Sequence, residues 1–330
     1  MTEASIDTRW RLRSLQAVIL ENSFLRAVVL PEYGGRIYSI RYKPLDRELL
    51  WQSPRIPLHK PPFGAVYDDV WCGGWDEVFP NDAPAVIEGE RYPDHGELWA
   101  NEWNWRAEEE GEGVSVELWC RTAISAVEVR KKAVLGPGAA RLSVTYQIFN
   151  DSRKRMPFLF KAHPAFAVAA GWRLDFPAMD VRLDPCSAGS LSGAELEARW
   201  PVVSRAGQKI DLSEIPDPSS GAAYFFYGTG YEQGWCAVTD PRARVSAGLV
   251  FPAQAFPACW LFSSYGGWRN NELALLEPST GWPLDLNQAM EQGAIAVLEP
   301  GAVWEATVTL QVQQGLEKVS GLTPEGDFAG

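Results

Sequence analysis

The feature that most constrains this chain is strict apolar/polar alternation in short segments. In Arg141–Phe149, Leu142, Val144, Tyr146 and Ile148 fall on every second position. A strand points successive side chains to opposite faces, so this period builds one buried and one wetted face and cannot suit a helix. Residues 114–119 and 126–131 alternate in the same way, and Leu135-Gly136-Pro137-Gly138 marks a turn before Arg141. The segments on either side of that turn are expected to form a hairpin. A second hairpin is expected where residues 23–30 run through Pro31-Glu32-Tyr33-Gly34-Gly35 into residues 36–42. A third is expected between residues 294–298 and 304–312.

Helical patterning is scarce. Residues 194–200 could supply two turns and residues 284–290 a further short piece. No linker-like stretch divides the 330 residues, so the expectation is an all-β fold of antiparallel strands. It forms a single domain over residues 1–314, with a polar, loosely held C-terminal tail over 315–330.

Charge and motif content narrow the function classes. A formal net charge of -12 argues against a nucleic-acid partner, because phosphate binding needs a basic face. Cys72, Cys120, Cys186, Cys236 and Cys259 are scattered with no CxxC pair. Neither a zinc site nor a disulfide framework is expected. No apolar run approaches the roughly 20 residues of a membrane helix, and residues 17–20 are too short for a secretion signal. A cytoplasmic protein with no membrane partner is the expectation. No glycine-rich phosphate loop opens a helix, and no GxSxG elbow is present.

Proton-transfer chemistry has few candidates. Of the three histidines, His59 sits in a proline-rich loop. His95 lies in Asp94-His95-Gly96-Glu97, and His163 in Lys161-Ala162-His163-Pro164-Ala165-Phe166. Glu277 ends the apolar run Leu273-Ala274-Leu275-Leu276. Histidine exchanges protons near neutral pH, and a carboxylate entering a buried run must be paired or functional. A core histidine, a solvated loop histidine and a salt-bridged glutamate are the competing readings.

The order of these segments resembles the aldose 1-epimerase, or galactose mutarotase-like, family. Gly34-Gly35-Arg36-Ile37 is similar to its early turn, and Asp94-His95-Gly96 to its first His-Gly motif. The segment 161–166 is similar to its second histidine segment, Leu276-Glu277 to its late glutamate, and 298–310 to its closing hairpin. The resemblance implies a β-supersandwich of antiparallel sheets acting on a monosaccharide or short oligosaccharide, as monomer or homodimer, with no cofactor and no metal. It implies Glu277 as base and His163 as acid in opening the sugar ring, with His95 on the ring side. Arg36, Trp75, Asp76, Asn81, Asp94, His95 and Lys161 would contact the sugar, and a neighbouring carboxylate would keep His163 protonated. Residues 71–81 contain no Arg, and no counterpart of the family's sugar-binding Asp is evident. Two alternatives stay open: a non-catalytic carbohydrate-binding protein on this fold, or another sugar isomerase or lyase.

Overall fold

The computed structural model describes residues 4–111, 113–185 and 190–330; Cys186 lies outside them, and Cys72, Cys120, Cys236 and Cys259 are free and buried. The chain forms two compact units, Met1–His163 with Thr280–Val308 and Pro164–Ser279 with Thr309–Gly330. Both are built from antiparallel strands, as the alternation requires.

In the first unit, Ser5–Leu12, Leu15–Glu21, Leu25–Leu30 and Arg36–Tyr42 pair in sequence order. Ile37 then pairs with Trp75 of the strand Trp75–Val78. A second layer pairs Asn104–Glu110, Gly113–Arg121, Glu128–Leu135 and Arg141–Phe149. The expected hairpin is present, with Leu135 opposite Leu142, and so is the early one, with Leu30 opposite Arg36. Leu142, Val144, Tyr146 and Ile148 are fully buried, so the period-two pattern marks the core face. The helix Leu286–Glu291 falls where the sequence placed it, capped by Asp285, whose carboxylate accepts from the N–H groups of Asn287 and Gln288.

The third expected hairpin does not form. Ala296–Leu298 pairs instead with Met156–Phe158. Asn150 explains the choice: its side-chain amide donates to Leu298 O at 2.9 Å, and its backbone carbonyl accepts from Gly301 N at 2.7 Å. The turn at residues 299–302 is thereby tied to the Asn150 loop rather than folded onto the strand after it.

In the second unit, Asp180–Leu183, Ala222–Thr229, Ala258–Tyr265 and Glu272–Ser279 are successive neighbours. Arg173–Asp175, Gly234–Asp240, Val245–Phe251 and residues 309–314 form another sheet. Two expectations fail here. Residues 194–200 hold the strand Glu197–Arg199 instead of a helix, and this strand pairs with Asp180–Leu183, whose backbone groups satisfy it. The C-terminal segment is packed rather than loose. Gly321–Leu322 and Phe328–Ala329 pair, and Val319 and Leu322 are buried against Trp235, Ala237 and Val250. Among the described residues no helix is long and apolar enough to cross a membrane.

The strand Trp75–Val78 carries the charge at the centre of the first unit. Glu77 and Lys131 have no exposed surface, and the ammonium lies 2.8 Å from both carboxylate oxygens. The Tyr146 hydroxyl donates to Glu77 at 3.0 Å. Burial raises the Glu77 pKa and lowers that of Lys131 against their mutual attraction. Such a pair adds little net stability, yet removing one partner strands the other charge, at a cost of about 3–5 kcal/mol. Lys131→Met is therefore expected to lower the urea-unfolding free energy by about that amount. Adding Glu77→Gln should recover part of the loss, and an additive double variant would refute the coupling.

Candidate functional site

Alternation along Trp75–Val78 separates two neighbouring carboxylates. Glu77 points to Lys131, so Asp76, one residue earlier, points to the opposite face. On that face lie Lys161 and His163, two positions apart on the strand Lys161–Ala167 and therefore on one side of it. Tyr67 enters from the one-turn helix Tyr67–Val70. All of these belong to the first unit.

Asp76 is the hub. Its Oδ2 accepts from Arg36 Nη2 at 2.7 Å and from the Tyr67 hydroxyl at 2.8 Å, and its Oδ1 lies 3.0 Å from His163 Nδ1. Arg36 also donates to Gly73 O. Burial favours the neutral acid, but Arg36 first, then His163 and Tyr67, outweigh it, and the carboxyl sits well below the usual range. Burial and the Asp76 charge push the Tyr67 phenol far above its ordinary value. Asp76 is thus ionised and can only accept, while Tyr67 keeps its proton. The hydrogen-bond pattern then assigns a proton to His163 Nδ1, directed at Asp76, with Tyr67 Oη 3.2 Å away.

The turn carrying His95 is built by backbone geometry. His95 has φ 57° and Gly96 φ 71°, both left-handed. A Cβ on Gly96 would lie 2.0 Å from Phe79 O, so only glycine fits, and Glu97 N donates to that same oxygen at 2.7 Å. His95 N donates to Asp82 O at 2.7 Å. Its ring stacks on Tyr67, with centroids 3.8 Å apart and planes at 4°, and stands edge-on to His163 at 5.8 Å. Asp94 locks both partners: Oδ1 lies 2.9 Å from His95 Nδ1, and Oδ2 accepts from Tyr67 N at 3.1 Å. Lys161 Nζ meets Asp82 Oδ2 at 2.5 Å.

Of the residues expected at the site, His95, His163, Asp94, Asp76, Lys161 and Arg36 come together around Tyr67 and Asp82. Exposure separates their roles. The Asp94, His95 and Asp82 side chains keep 25%, 18% and 11% of their surface, whereas Lys161 and His163 keep 3% and 4%. Arg36, Trp75, Asp76 and Asn81 keep none. In this conformation these four side chains present no free surface. Arg36 and Asp76 hold His163 in place, and Trp75 packs in the core. The Asn81 amide closes its loop through Ala83 O at 2.9 Å and Pro93 O at 2.8 Å. Glu277 belongs to the second unit, buried on Glu272–Ser279 opposite Trp260. Tyr67 and Asp82 escaped the sequence reading. Asp82 directly follows the Trp75–Asn81 segment, whereas Tyr67 carries no local signal. Among the described residues, no three His, Cys, Asp or Glu side chains are placed to hold a metal ion.

No family model matches the sequence, but solved structures share its fold. A candidate aldose 1-epimerase from Klebsiella pneumoniae superposes with TM-score 0.74 at 13% identity, covering 94% of this chain and 83% of that one. The galactose mutarotase related enzyme from Lactobacillus acidophilus gives 0.63 at 15% identity, over 92% of this chain and 100% of that one. A galactose mutarotase-like protein from Clostridium acetobutylicum gives 0.66 at 12% identity, over 95% and 99%. The fold is therefore galactose mutarotase-like, the all-β supersandwich class expected from the motif order.

The His95 cluster has a defined pH window. Burial lowers the His95 pKa, but Asp82 and then Asp94 raise it above 6.5 on balance, while Asp82 and Asp94 are held below 3.8. The histidine's contribution to stability is complete below its ordinary value and is lost as pH rises through the raised one. The carboxylates' contribution is complete above their ordinary value and is lost as pH falls through the lowered ones. The cluster is strongest between about pH 4 and 6.5. The melting-temperature deficit of His95→Gln should be largest in that window and shrink above it. A deficit independent of pH would contradict the assignment. Gly96→Ala should destabilise by at least about 1–3 kcal/mol in urea unfolding, because the strained φ and the Phe79 carbonyl both oppose it.

Proposed function

We propose that this protein is an aldose 1-epimerase that interconverts the anomers of a monosaccharide or short oligosaccharide by opening and reclosing the sugar ring. The observation that carries the reading is His163, buried on its strand, with Nδ1 held by an ionised Asp76 that Arg36 and Tyr67 in turn secure. An imidazole oriented through one nitrogen by a carboxylate is suited to give and take a proton at the other. The mutarotase-like fold supports the same reading.

In the proposed reaction a base takes the proton of the C1 hydroxyl as His163 Nε2–H protonates the ring oxygen. The bond between C1 and the ring oxygen breaks, leaving an open-chain aldehyde. Rotation about C1–C2 exposes the other carbonyl face. The two proton transfers then reverse as the ring oxygen adds back. Asp76 keeps the imidazole of His163 oriented through Nδ1 without accepting its proton. Glu277 is assigned as base by family resemblance alone. Each well-placed acid or base contributes about 10²–10⁴-fold. His95, Asp94 and Asp82, the most exposed polar groups of the cluster, are assigned to sugar hydroxyls, with Lys161 holding Asp82.

Anomer exchange measured by saturation-transfer NMR on glucose, galactose and other aldoses tests the proposal. Wild-type protein should accelerate exchange of at least one of them. His163→Gln and Glu277→Gln should each lower kcat by about 10²-fold or more with a smaller change in KM. Asp76→Asn should act in the same direction by misplacing the Nδ1 proton. Absence of acceleration for every aldose would sink the epimerase reading. A carbohydrate-binding protein without catalysis would then be the better one, favoured by the lack of an Arg in residues 71–81 and of a counterpart to the family's sugar-binding Asp.

A further inference from the structure

The second unit contains a cavity of about 720 Å³, within the range of small-molecule sites. Its walls include Tyr224, Phe225, Phe262 and Trp268, with Arg205 and Ser220 supplying polar groups. Phe225, Phe262 and Trp268 are only half-buried, although each ring is large and apolar. Phe262 meets Trp268 edge to face, with centroids 5.6 Å apart at 90°. Arg205 donates to Ser190 O at 2.8 Å, and no ion pair joins it to a carboxylate among the described residues.

Strand register ties this cavity to Glu277. Glu277 stands opposite Trp260, and Trp260 opposite Tyr227, so these three share one face of the sheet. Two positions along the same strands, Leu275, Phe262 and Phe225 form the next row on that face. The aromatic row is thus about 7 Å from the Glu277 row, all within the second unit.

Partly exposed aromatic rings beside a guanidinium and a hydroxyl match the surface of a pyranose, which has apolar C–H faces and a hydroxylated rim. We infer that this cavity is a subsite for a second sugar ring, so that the substrate class is a disaccharide or longer oligosaccharide with a free reducing end. The inference rests on the proposed role of Glu277 and extends it by naming the substrate. The reducing ring carries the anomeric hydroxyl at Glu277. The next ring stacks on Phe225, Phe262 and Trp268, with Arg205 and Ser220 hydrogen-bonding its rim.

Maltose, cellobiose and lactose, with glucose and galactose as references, serve as probes for wild type, Trp268→Ala and Ala223→Trp. The last variant fills the cavity from the strand Ala222–Thr229. Thermal unfolding confirms that each variant is folded. Binding is read by saturation-transfer difference NMR and catalysis by anomer exchange. The wild type should favour at least one disaccharide over its monosaccharide by about tenfold in kcat/KM, and both variants should lose that advantage. Failure of the wild type to bind or prefer any disaccharide, with monosaccharide exchange intact, overturns the subsite and leaves the epimerase reading standing. Unchanged disaccharide binding in both folded variants also overturns it. Disaccharide binding that both variants lose, without anomer exchange in any protein, upholds the subsite and sinks the epimerase reading instead.

Discussion

The first unit's polar architecture depends on one buried charge, the Asp76 carboxylate. A carboxylate without exposed surface would ordinarily neutralise itself by taking up a proton. Here a guanidinium that cannot give up its charge sits 2.7 Å away, and a phenol and an imidazole take up its remaining acceptor capacity. Because Asp76 stays ionised, the proton on His163 Nδ1 is assigned, Tyr67 has a reason to remain a phenol, and the Tyr67 ring is placed to stack on His95. Loss of that single charge would release three side chains at once: Arg36, Tyr67 and His163.

Asp76 and Glu77 show how strongly environment governs identical chemistry. They are neighbours in sequence, both fully buried, and both paired with a cation. Asp76 is driven down and Glu77 up. At Asp76 the Arg36 charge is joined by hydrogen bonds from His163 and Tyr67, whereas at Glu77 burial and the Asp76 charge outweigh Lys131. Arg36 keeps its charge at any accessible pH, whereas the buried ammonium of Lys131 can yield to desolvation. Pairs of groups pushed apart in this way are a mark of acid–base sites. Asp76 faces His163 and Tyr67, whereas Glu77 faces Lys131 and Tyr146.

How much was legible in the sequence follows from where each signal resides. The strands of the second layer and the Leu135–Leu142 hairpin were readable because burial acts on alternate residues within a single segment. The pairing of Ala296–Leu298 was not, because it is settled by Asn150, some 148 residues away in sequence from the Leu298 carbonyl it binds. The strand Glu197–Arg199 and the packed C-terminal hairpin were missed for the same reason: both are stabilised by contacts that local composition does not register. Among site residues, the histidines stood out by scarcity and motif, and Asp94 by adjacency. Tyr67 did not, since nothing near residue 67 indicates that its hydroxyl will meet Asp76 and its ring His95.

By itself, then, the sequence determined an antiparallel all-β chain of net charge -12, with its proton-transfer candidates confined to a few positions. Periodicity, net charge and residue scarcity are properties of the chain alone. The tertiary structure decided which carboxylate meets which cation. It also decided that Arg36, Trp75, Asp76 and Asn81 are fully buried, and that Tyr67 and Asp82 join the cluster. Those outcomes depend on strand register, where a shift of one residue sends a side chain to the opposite face, and on distances between segments far apart in sequence.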